Sequence, residues 1–562
     1  MTRLPLGRGG GHDRATDHHH EDGQRMAESF NAADYLVGRR IAAGDGDREA
    51  VRAPSRSLTY AELDAEIGRV AAGLAALGVQ PEQRVVLCMV DEVELFAGIL
   101  ATMRLGAIAV PVSTMLRGPE LAVLVADSRS RLLLCSATFA DTSRAAVLTA
   151  RERGGDVAEV VITGDDASGF GPDVAARTWA EMLAAGDALG TAPAYDTWDE
   201  SQALWLYTSG TTGKPKAAMH RHADIRTVCE TYGQQVLGIR PDDRCLSVAK
   251  LFFAYGIGNS MFFPLSVGAA AVLEPSRPTP ALLADLASRH RVTMFFGTPS
   301  SYGPLLAAAD GQVDPTAFAT VRRGVSAGEA LPARMVNGMR DVFGVEVLDG
   351  IGSTEALHIY LSNKPGEVVP GTSGVPVPGY DVEIRGTDGR PVLDGETGTL
   401  YVRGDSICTG YWCRTATNRL MFEGEWLRTG DTYVRNADGT YTCLGRTDDV
   451  LKVGGIWVTP AEVEERLVAH PSVAEVVVVA VPDDDGLDVP VACVVPREGH
   501  TVDPESLVAW CREGLASFKR PRHVIAIEEV PRTATGKVQR FRLRELAAGL
   551  VAAPAATLEG AH

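Results

Sequence analysis

The stretch of this chain richest in chemistry is residues 207–216, Tyr-Thr-Ser-Gly-Thr-Thr-Gly-Lys-Pro-Lys. Thr208, Ser209, Thr211 and Thr212 place four hydroxyls within five positions, interleaved with Gly210 and Gly213 and joined by Lys214 and Lys216. Glycines let backbone N–H groups approach an anion closely, and hydroxyls and ammonium groups add donors, so these residue types suit a loop that grips phosphate. A surface Ser/Thr/Gly loop without function carries the same letters. A Walker A loop does not, because it needs four residues between its glycines and then opens a helix. Here only two residues separate Gly210 from Gly213, and Pro215 follows Lys214. A competing pattern, Gly324-Val325-Ser326-Ala327-Gly328, fits the GxSxG elbow of serine hydrolases, with His358 and later acidic residues available for a triad. Five positions with two wildcards recur by chance.

Four more elements follow the loop: Gly352-Ser353-Thr354-Glu355, Thr429-Gly430-Asp431, Gly445-Arg446-Thr447-Asp448 and Pro531-Arg532-Thr533-Ala534-Thr535-Gly536-Lys537. Together and in this order they resemble the signatures of the adenylate-forming superfamily, which holds acyl- and aryl-CoA synthetases, peptide-synthetase adenylation domains and luciferases. The resemblance covers residues 28–547. A carboxylate is a poor electrophile, and transfer of AMP onto it makes a mixed anhydride with a good leaving group. That step needs Mg²⁺ on the triphosphate, a clamp for pyrophosphate and positive charge at the reacting phosphorus. The resemblance assigns the clamp to residues 208–216, a Mg²⁺ contact to Glu355 and a place near the α-phosphate to Thr354. It sets Ser326, Ala327, Gly328 and Glu329 along the adenine and acyl pocket, with Asp349, Gly350, Ile351 and Gly352 nearby. Asp431, assisted by Arg446, would hold the ribose hydroxyls. Lys537 would bridge the substrate carboxylate and the α-phosphate, a role that suits a mobile point charge. Asp448 would be the hinge about which a small domain rotates, and Gly454, Gly455 and Trp457 would line a pantetheine tunnel. Taken singly, Asp431 reads as a turn residue, Glu355 as a helix-start carboxylate and Lys537 as a solvated lysine.

Residues 250–259 and 349–359 look like the benzoate-CoA ligase group. By that resemblance Phe253, Ala254, Tyr255, Ile351 and His358 are walls of a flat apolar slot for an aromatic acid, while Phe252 reads as core. The implied substrates and cofactors are an aromatic acid, ATP, Mg²⁺ and coenzyme A. Transfer to a carrier protein, or activation of nitrite to diazotise an aromatic amine, are alternatives for the second partner. His220 and His222 receive no role.

The elements that must position these residues alternate. Thr59-Tyr60-Ala61-Glu62 reads as a capping box, and Leu63, Ile67, Val70, Leu74 and Leu77 then recur at helical spacing until Gly78. Strands follow at 85–90 and 107–112 with a helix at 95–105 between them, and apolar runs recur at 203–207, 269–273 and 292–296. This is the pattern of an α/β protein with mainly parallel sheets covered by helices. After residue 370, short strands at 383–385, 399–402 and 441–444 between Gly/Asp turns indicate an antiparallel, barrel-like subdomain. Thr459-Pro460-Ala461-Glu462 then opens a helix and 473–481 is an apolar strand, so a small α+β lid domain is expected. The expected division is a disordered leader over 1–27, an ATP- and acid-binding domain over 28–447, a lid over 448–547 and a flexible tail over 548–562.

Composition bounds the rest. Of 562 residues, 45% are hydrophobic and 22% charged, which fits a globular chain with a large core. The formal charge of −18 argues against a nonspecific nucleic-acid or anionic-membrane binder. Nine scattered cysteines without a CxxC pair fit a reducing, cytoplasmic setting. Residues 251–273 carry no charge over 23 positions, yet Gly256, Gly258, Asn259, Ser260 and Pro264 interrupt them, so a buried strand–turn–helix is expected there rather than a membrane span. The residues before 25 lack an apolar signal-peptide core, and Met26 is an equally natural start. Residues 519–544 hold eight Lys/Arg against two Glu, a basic stretch that fits a lid over ATP. A monomer or homodimer is expected.

Overall fold

A computed structural model describes residues 27–209, 215–447, 451–453, 456–458, 460–482, 488–532 and 538–551. The helix Tyr60–Ala76 begins as the sequence requires. Thr59 Oγ1 accepts from Glu62 N at 3.2 Å, and Glu62 Oε2 accepts from Thr59 N at 2.8 Å. Leu63, Ile67, Val70 and Leu74 line the buried face.

Strands and helices alternate through the first two sheets. In the seven-stranded sheet, Ala176–Thr178, Glu159–Thr163, Leu132–Ser136, Arg84–Cys88, Ile108–Pro111 and Gln202–Ser209 run parallel, and Pro215–Arg221 closes the edge antiparallel to its neighbour. In the nine-stranded sheet the centre is parallel, from Val347–Gly352 through Arg323–Ser326, Met294–Gly297, Arg244–Ser247 and Ala270–Val272 to Glu49–Arg52. Its edges, Ile359–Ser362 with Val375–Pro376 and Ser57–Thr59, are antiparallel. Parallel strands are covered on both faces, which is why they read as unbroken apolar runs.

The pattern changes after residue 370 as expected: Tyr380–Arg385, Thr397–Gly404, Phe422–Glu423, Trp426–Arg435 and Tyr441–Arg446 form an antiparallel sheet. Beyond it, Val473–Pro482, Asp488–Pro496 and His523–Ala526 make a three-stranded sheet with its own cores. Val476 and Val478 pack on one face with Val463 and Leu467, while Val477, Val479 and Val481 pack on the other with Leu543 and Ala547.

Two expectations are corrected. Residues 251–273 do not form strand–turn–helix. They form a buried helical stretch over 254–267, wound more widely at Gly258–Phe262, which ends at Gly268 (φ +85°) and leads into the strand Ala270–Val272. The glycines do not break it; they let it press against backbone and ring neighbours. Residues 548–551, expected in a flexible tail, instead continue the helix Arg540–Val551 past the buried Leu543 and Ala547, and 552–562 lie outside the described residues. No helix among the described residues is long and apolar enough to cross a membrane.

Candidate active site

The hydroxyl-rich segment lies at the turn of a β-hairpin. Thr208 pairs with Lys216 and Ser209 with Pro215 across it, while Gly210, Thr211, Thr212, Gly213 and Lys214 lie outside the described residues. A strand rather than a helix follows the loop, as the proline demands. Both ends are braced by one carboxylate. Tyr207 Oη donates to Asp127 Oδ2 at 2.8 Å, and Arg414 Nη2 donates to Asp127 Oδ1 at 2.8 Å and to the Pro215 carbonyl at 3.2 Å.

Glu355 sits in a short turn, Thr354–Ala356, directly after the strand Val347–Gly352. Three consecutive carbonyls of that turn are held from two segments, the strand Pro215–Arg221 and the loop after Gly404. His220 Nε2 donates to Thr354 O at 2.8 Å, Cys408 N to Glu355 O at 2.8 Å and Ser406 Oγ to Ala356 O at 2.6 Å. His220 Nδ1 lies 3.0 Å from Asp224 Oδ2, and both side chains are fully buried. The next residue, Leu357, is buried at φ +65°, a conformation L side chains rarely adopt, so tertiary contacts over-determine this turn. The Glu355 carboxylate accepts from Tyr411 Oη at 2.6 Å.

Other charged groups converge on it. The Lys216 ammonium stands 4.5 Å from the Tyr411 ring centroid. Burial lowers the Lys216 pKa, the Glu355 charge opposes that shift, and Arg446 and Arg414 add to it. Arg446 Nη1 donates to Asp431 Oδ1 at 2.9 Å from the paired strand. The charges of Asp431, Glu355 and Arg446 all act on the buried Tyr360 phenol, so residues from four sequence elements share one neighbourhood.

Ser326 and Asp349 are register partners on adjacent parallel strands, which brings the 326–329 and 349–352 segments side by side. Leu331 N donates to Asp349 Oδ2 at 3.4 Å, and burial holds the Asp349 pKa well above the carboxylate range. The hydrolase alternative fails here. Ser326 is fully buried at the end of its strand, and the next helix, Ala333–Phe343, begins only after a loop, so no nucleophile elbow forms.

The residues expected to wall an acid pocket lie on and just before the 254–267 helical stretch, on the strand Val347–Gly352 and, for His358, in the loop after Glu355. Phe253, Ala254, Tyr255 and Ile351 are half-buried, while Phe252 is core as expected. Tyr255 Oη reaches the carbonyls of Gly297 (3.0 Å) and Val325 (3.1 Å). His358 lies among rings, with centroids 4.5 Å from Phe263, 5.3 Å from Tyr232 and 5.6 Å from Tyr255, and its Nε2 is 3.2 Å from Asn259 Oδ1. Burial lowers its pKa to about 3, so the ring is neutral at physiological pH. Asp91 accepts from Leu251 N at 3.1 Å at the entry to this segment, and burial raises its pKa to about 7 against the opposing charge of Lys250.

The remaining candidates, Asp448, Gly454, Gly455 and Lys537, lie outside the described residues. Trp457 lies on the strand Ile456–Val458, opposite Lys452. Among the described residues no cluster of three or more His, Cys, Asp or Glu could cage a metal. A single carboxylate, Glu355, beside phosphate-binding cations suits Mg²⁺, which keeps waters and is held by one or two carboxylates and substrate phosphates.

The family model for AMP-binding enzymes matches residues 38–412, and that for the AMP-binding enzyme C-terminal domain matches residues 462–537. The chain belongs to the AMP-binding enzyme family. Among members of this family it is 40% identical to the 4-hydroxybenzoate–CoA/benzoate–CoA ligase of Rhodopseudomonas palustris, over 92% of this chain and 95% of that one. Two solved structures are similar. The anthranilate CoA ligase AuaEII in complex with anthranoyl-AMP has TM-score 0.85 and 35% identity, covering 94% of this chain and 99% of that one. A benzoate CoA ligase from Burkholderia xenovorans LB400 has TM-score 0.80 and 38% identity, covering 92% and 100%.

Within this AMP-binding enzyme, sequence reasoning assigned no role to several residues that the fold uses for support: His220 with Asp224, the Asp127–Arg414 brace, Asn259 and Tyr411. Only His220 and Asp224 left a signal, a four-residue spacing just beyond the phosphate segment.

Proposed function

We propose that this chain activates an aromatic carboxylic acid with ATP and transfers it to coenzyme A. The carboxylate oxygen attacks the α-phosphorus, the bond to the bridging oxygen of pyrophosphate breaks, and an aryl-adenylate forms. The thiol of coenzyme A then attacks the carbonyl carbon, losing its proton, and AMP leaves. Bound Mg²⁺ would supply charge neutralisation on the triphosphate, with Glu355 as its protein ligand. Lys216 and residues 208–214 receive the β- and γ-phosphates, and Thr354 lies by the α-phosphate. Asp431 and Arg446 orient the ribose. Ser326–Glu329 and 349–352 line the adenine and acyl pocket. Lys537 attends the attacking carboxylate from a lid spanning 448–547, which turns about Asp448 on a body spanning 28–447. Gly454, Gly455 and Trp457 line the path of the thiol arm. A cytoplasmic location accords with nine cysteines none of which forms a disulfide among the described residues.

One observation carries this reading: the short segment 349–358 joins three functions. Its start is in register with Ser326, its middle places Glu355 by Tyr411 and Lys216, and its end sets neutral His358 among aromatic rings. The residues proposed for the nucleotide site and for the aryl slot thus share one stretch of backbone, which supports a reading in which a ring-borne carboxylate meets the α-phosphate.

The test is a pyrophosphate-release screen over benzoate, aminobenzoates and hydroxybenzoates, each with coenzyme A or with nitrite, read by mass spectrometry. The expected products are AMP and an aryl-CoA thioester. Pyrophosphate release that depends on nitrite rather than coenzyme A replaces the second step. No AMP with any of these acids overturns the reading.

A further inference from the structure

Tyr411 occupies a position that neither the family signatures nor the acid pocket includes. It is 1% exposed and packs with Phe422, ring centroids 5.7 Å apart. Its backbone is gripped at both ends by one side chain: its N–H donates to Asn418 Oδ1 at 2.8 Å and its carbonyl accepts from Asn418 Nδ2 at 3.0 Å. Gly410 before it stands at φ +127°, and a Cβ there would press on the Asn418 amide at 3.1 Å. The ring is thus fixed before any ligand arrives.

That fixed ring contacts two opposite charges. Its hydroxyl donates to one oxygen of Glu355 at 2.6 Å, and its face lies 4.5 Å from the Lys216 ammonium. Each charge influences the other, yet no ion pair joins Lys216 to Glu355 among the described residues. An ammonium and a carboxylate that touch the same ring attract each other, and low-dielectric surroundings strengthen that pull toward a salt bridge. Such a bridge would occupy both groups that the proposed reaction needs: the lysine for phosphate and the glutamate for metal. An aromatic face holds a cation, and a phenol O–H holds a carboxylate, without neutralising either. With the Glu355 backbone pinned through three carbonyls, fixing one carboxylate oxygen determines where the other points.

We infer that Tyr411 is a positioning residue that holds Lys216 and Glu355 apart, so that one carboxylate oxygen is presented to the metal of the Mg–ATP complex and the ammonium to its phosphates. This rests on the nucleotide half of the proposed function and not on the identity of the acid.

The experiment uses the full chain and two variants. Tyr411→Phe keeps the ring, and hence its packing and the cation contact, but removes the hydroxyl. Tyr411→Leu removes both. ATP affinity is measured by calorimetry in EDTA and in excess Mg²⁺, and Mn²⁺ is titrated onto the ATP complex by electron paramagnetic resonance. For Tyr411→Phe the expected result is metal-free ATP affinity within about twofold of the parent, but a loss of about tenfold in the metal-dependent gain and in Mn²⁺ affinity. Its kcat for pyrophosphate release falls while KM for the acid holds. Tyr411→Leu loses metal-free ATP affinity as well, because Lys216 then pairs with Glu355. Equal losses with and without metal in Tyr411→Phe would reduce Tyr411 to scaffold and overturn the inference, as would parental Mn²⁺ binding. A parent protein that binds Mg–ATP but activates no aromatic acid overturns the aryl-acid reading alone. A parent that binds no ATP overturns both.

Discussion

Burial determines how single residues behave at this site. His222 and His358 both have their pKa lowered to about 3 by burial, against 6.5 for a free imidazole. His222 Nδ1 accepts from Ala32 N at 3.0 Å, and a protonated ring could not accept there. A histidine whose folded-state pKa lies below its unfolded value contributes stability that is whole above the unfolded pKa and is lost as pH falls toward the folded one. The window here is therefore pH 6.5 down to 3. Each of the two should add about 1.4 kcal/mol per pH unit to the acid loss of stability within that window. Urea midpoints of the parent, His222→Gln and His358→Asn between pH 7 and pH 4 check this. Each variant should flatten the dependence by one proton, and unchanged slopes would show that these rings do not stay neutral in the fold.

Among the elements, the helical stretch over 254–267 decides most about the acid. It carries Tyr255 and Asn259 to His358, and it can do so because Gly258 has no side chain: a Cβ there would collide with the His358 ring. Gly258→Ala should displace the imidazole into the aryl slot. The expected effect is a rise of about tenfold or more in KM for the aromatic acid with ATP affinity unchanged, because the phosphate hairpin is a separate element. Steady-state kinetics with calorimetry for ATP measure both; an unchanged KM would remove His358 from the wall of the slot. Here the sequence misled, since glycines and a proline read as interruptions when counted along the chain. The wider winding and close packing that make them useful depend on where the fold brings neighbours, the nearby Lys250 carbonyl and Phe263 ring and, far away in sequence, the His358 ring.

At the scale of the whole molecule, the two parts carry separate duties. Residues after 458 have their own cores on both faces of a three-stranded sheet, which suits a body able to move as a unit. The proposed reaction has two steps and one lysine on that body. Lys537→Ala should suppress adenylation by about a hundredfold or more, as loss of a charge at a transition state does. Thioester formation from supplied aryl-adenylate should stay within about twofold. Single-turnover measurements of each half-reaction test this, and equal losses in both would contradict a lid that serves only the first step.

The sequence by itself determined the family, the order of helices and strands through the parallel sheets and the switch to antiparallel pairing after residue 370, and it offered the candidate residues for the nucleotide and acid sites. Those signals are local: a capping box, an apolar run or a phosphate loop is written in adjacent letters because its physics acts over a few residues. Tertiary structure alone decided what holds these residues in place. Tyr411 meets Glu355 from 56 positions away and His220 meets Thr354 from 134, and neither pairing leaves a spacing to be read. Buried polar groups must find partners wherever the folded chain puts them, so which distant side chain satisfies a carboxylate or a carbonyl is settled only when the strands are in register.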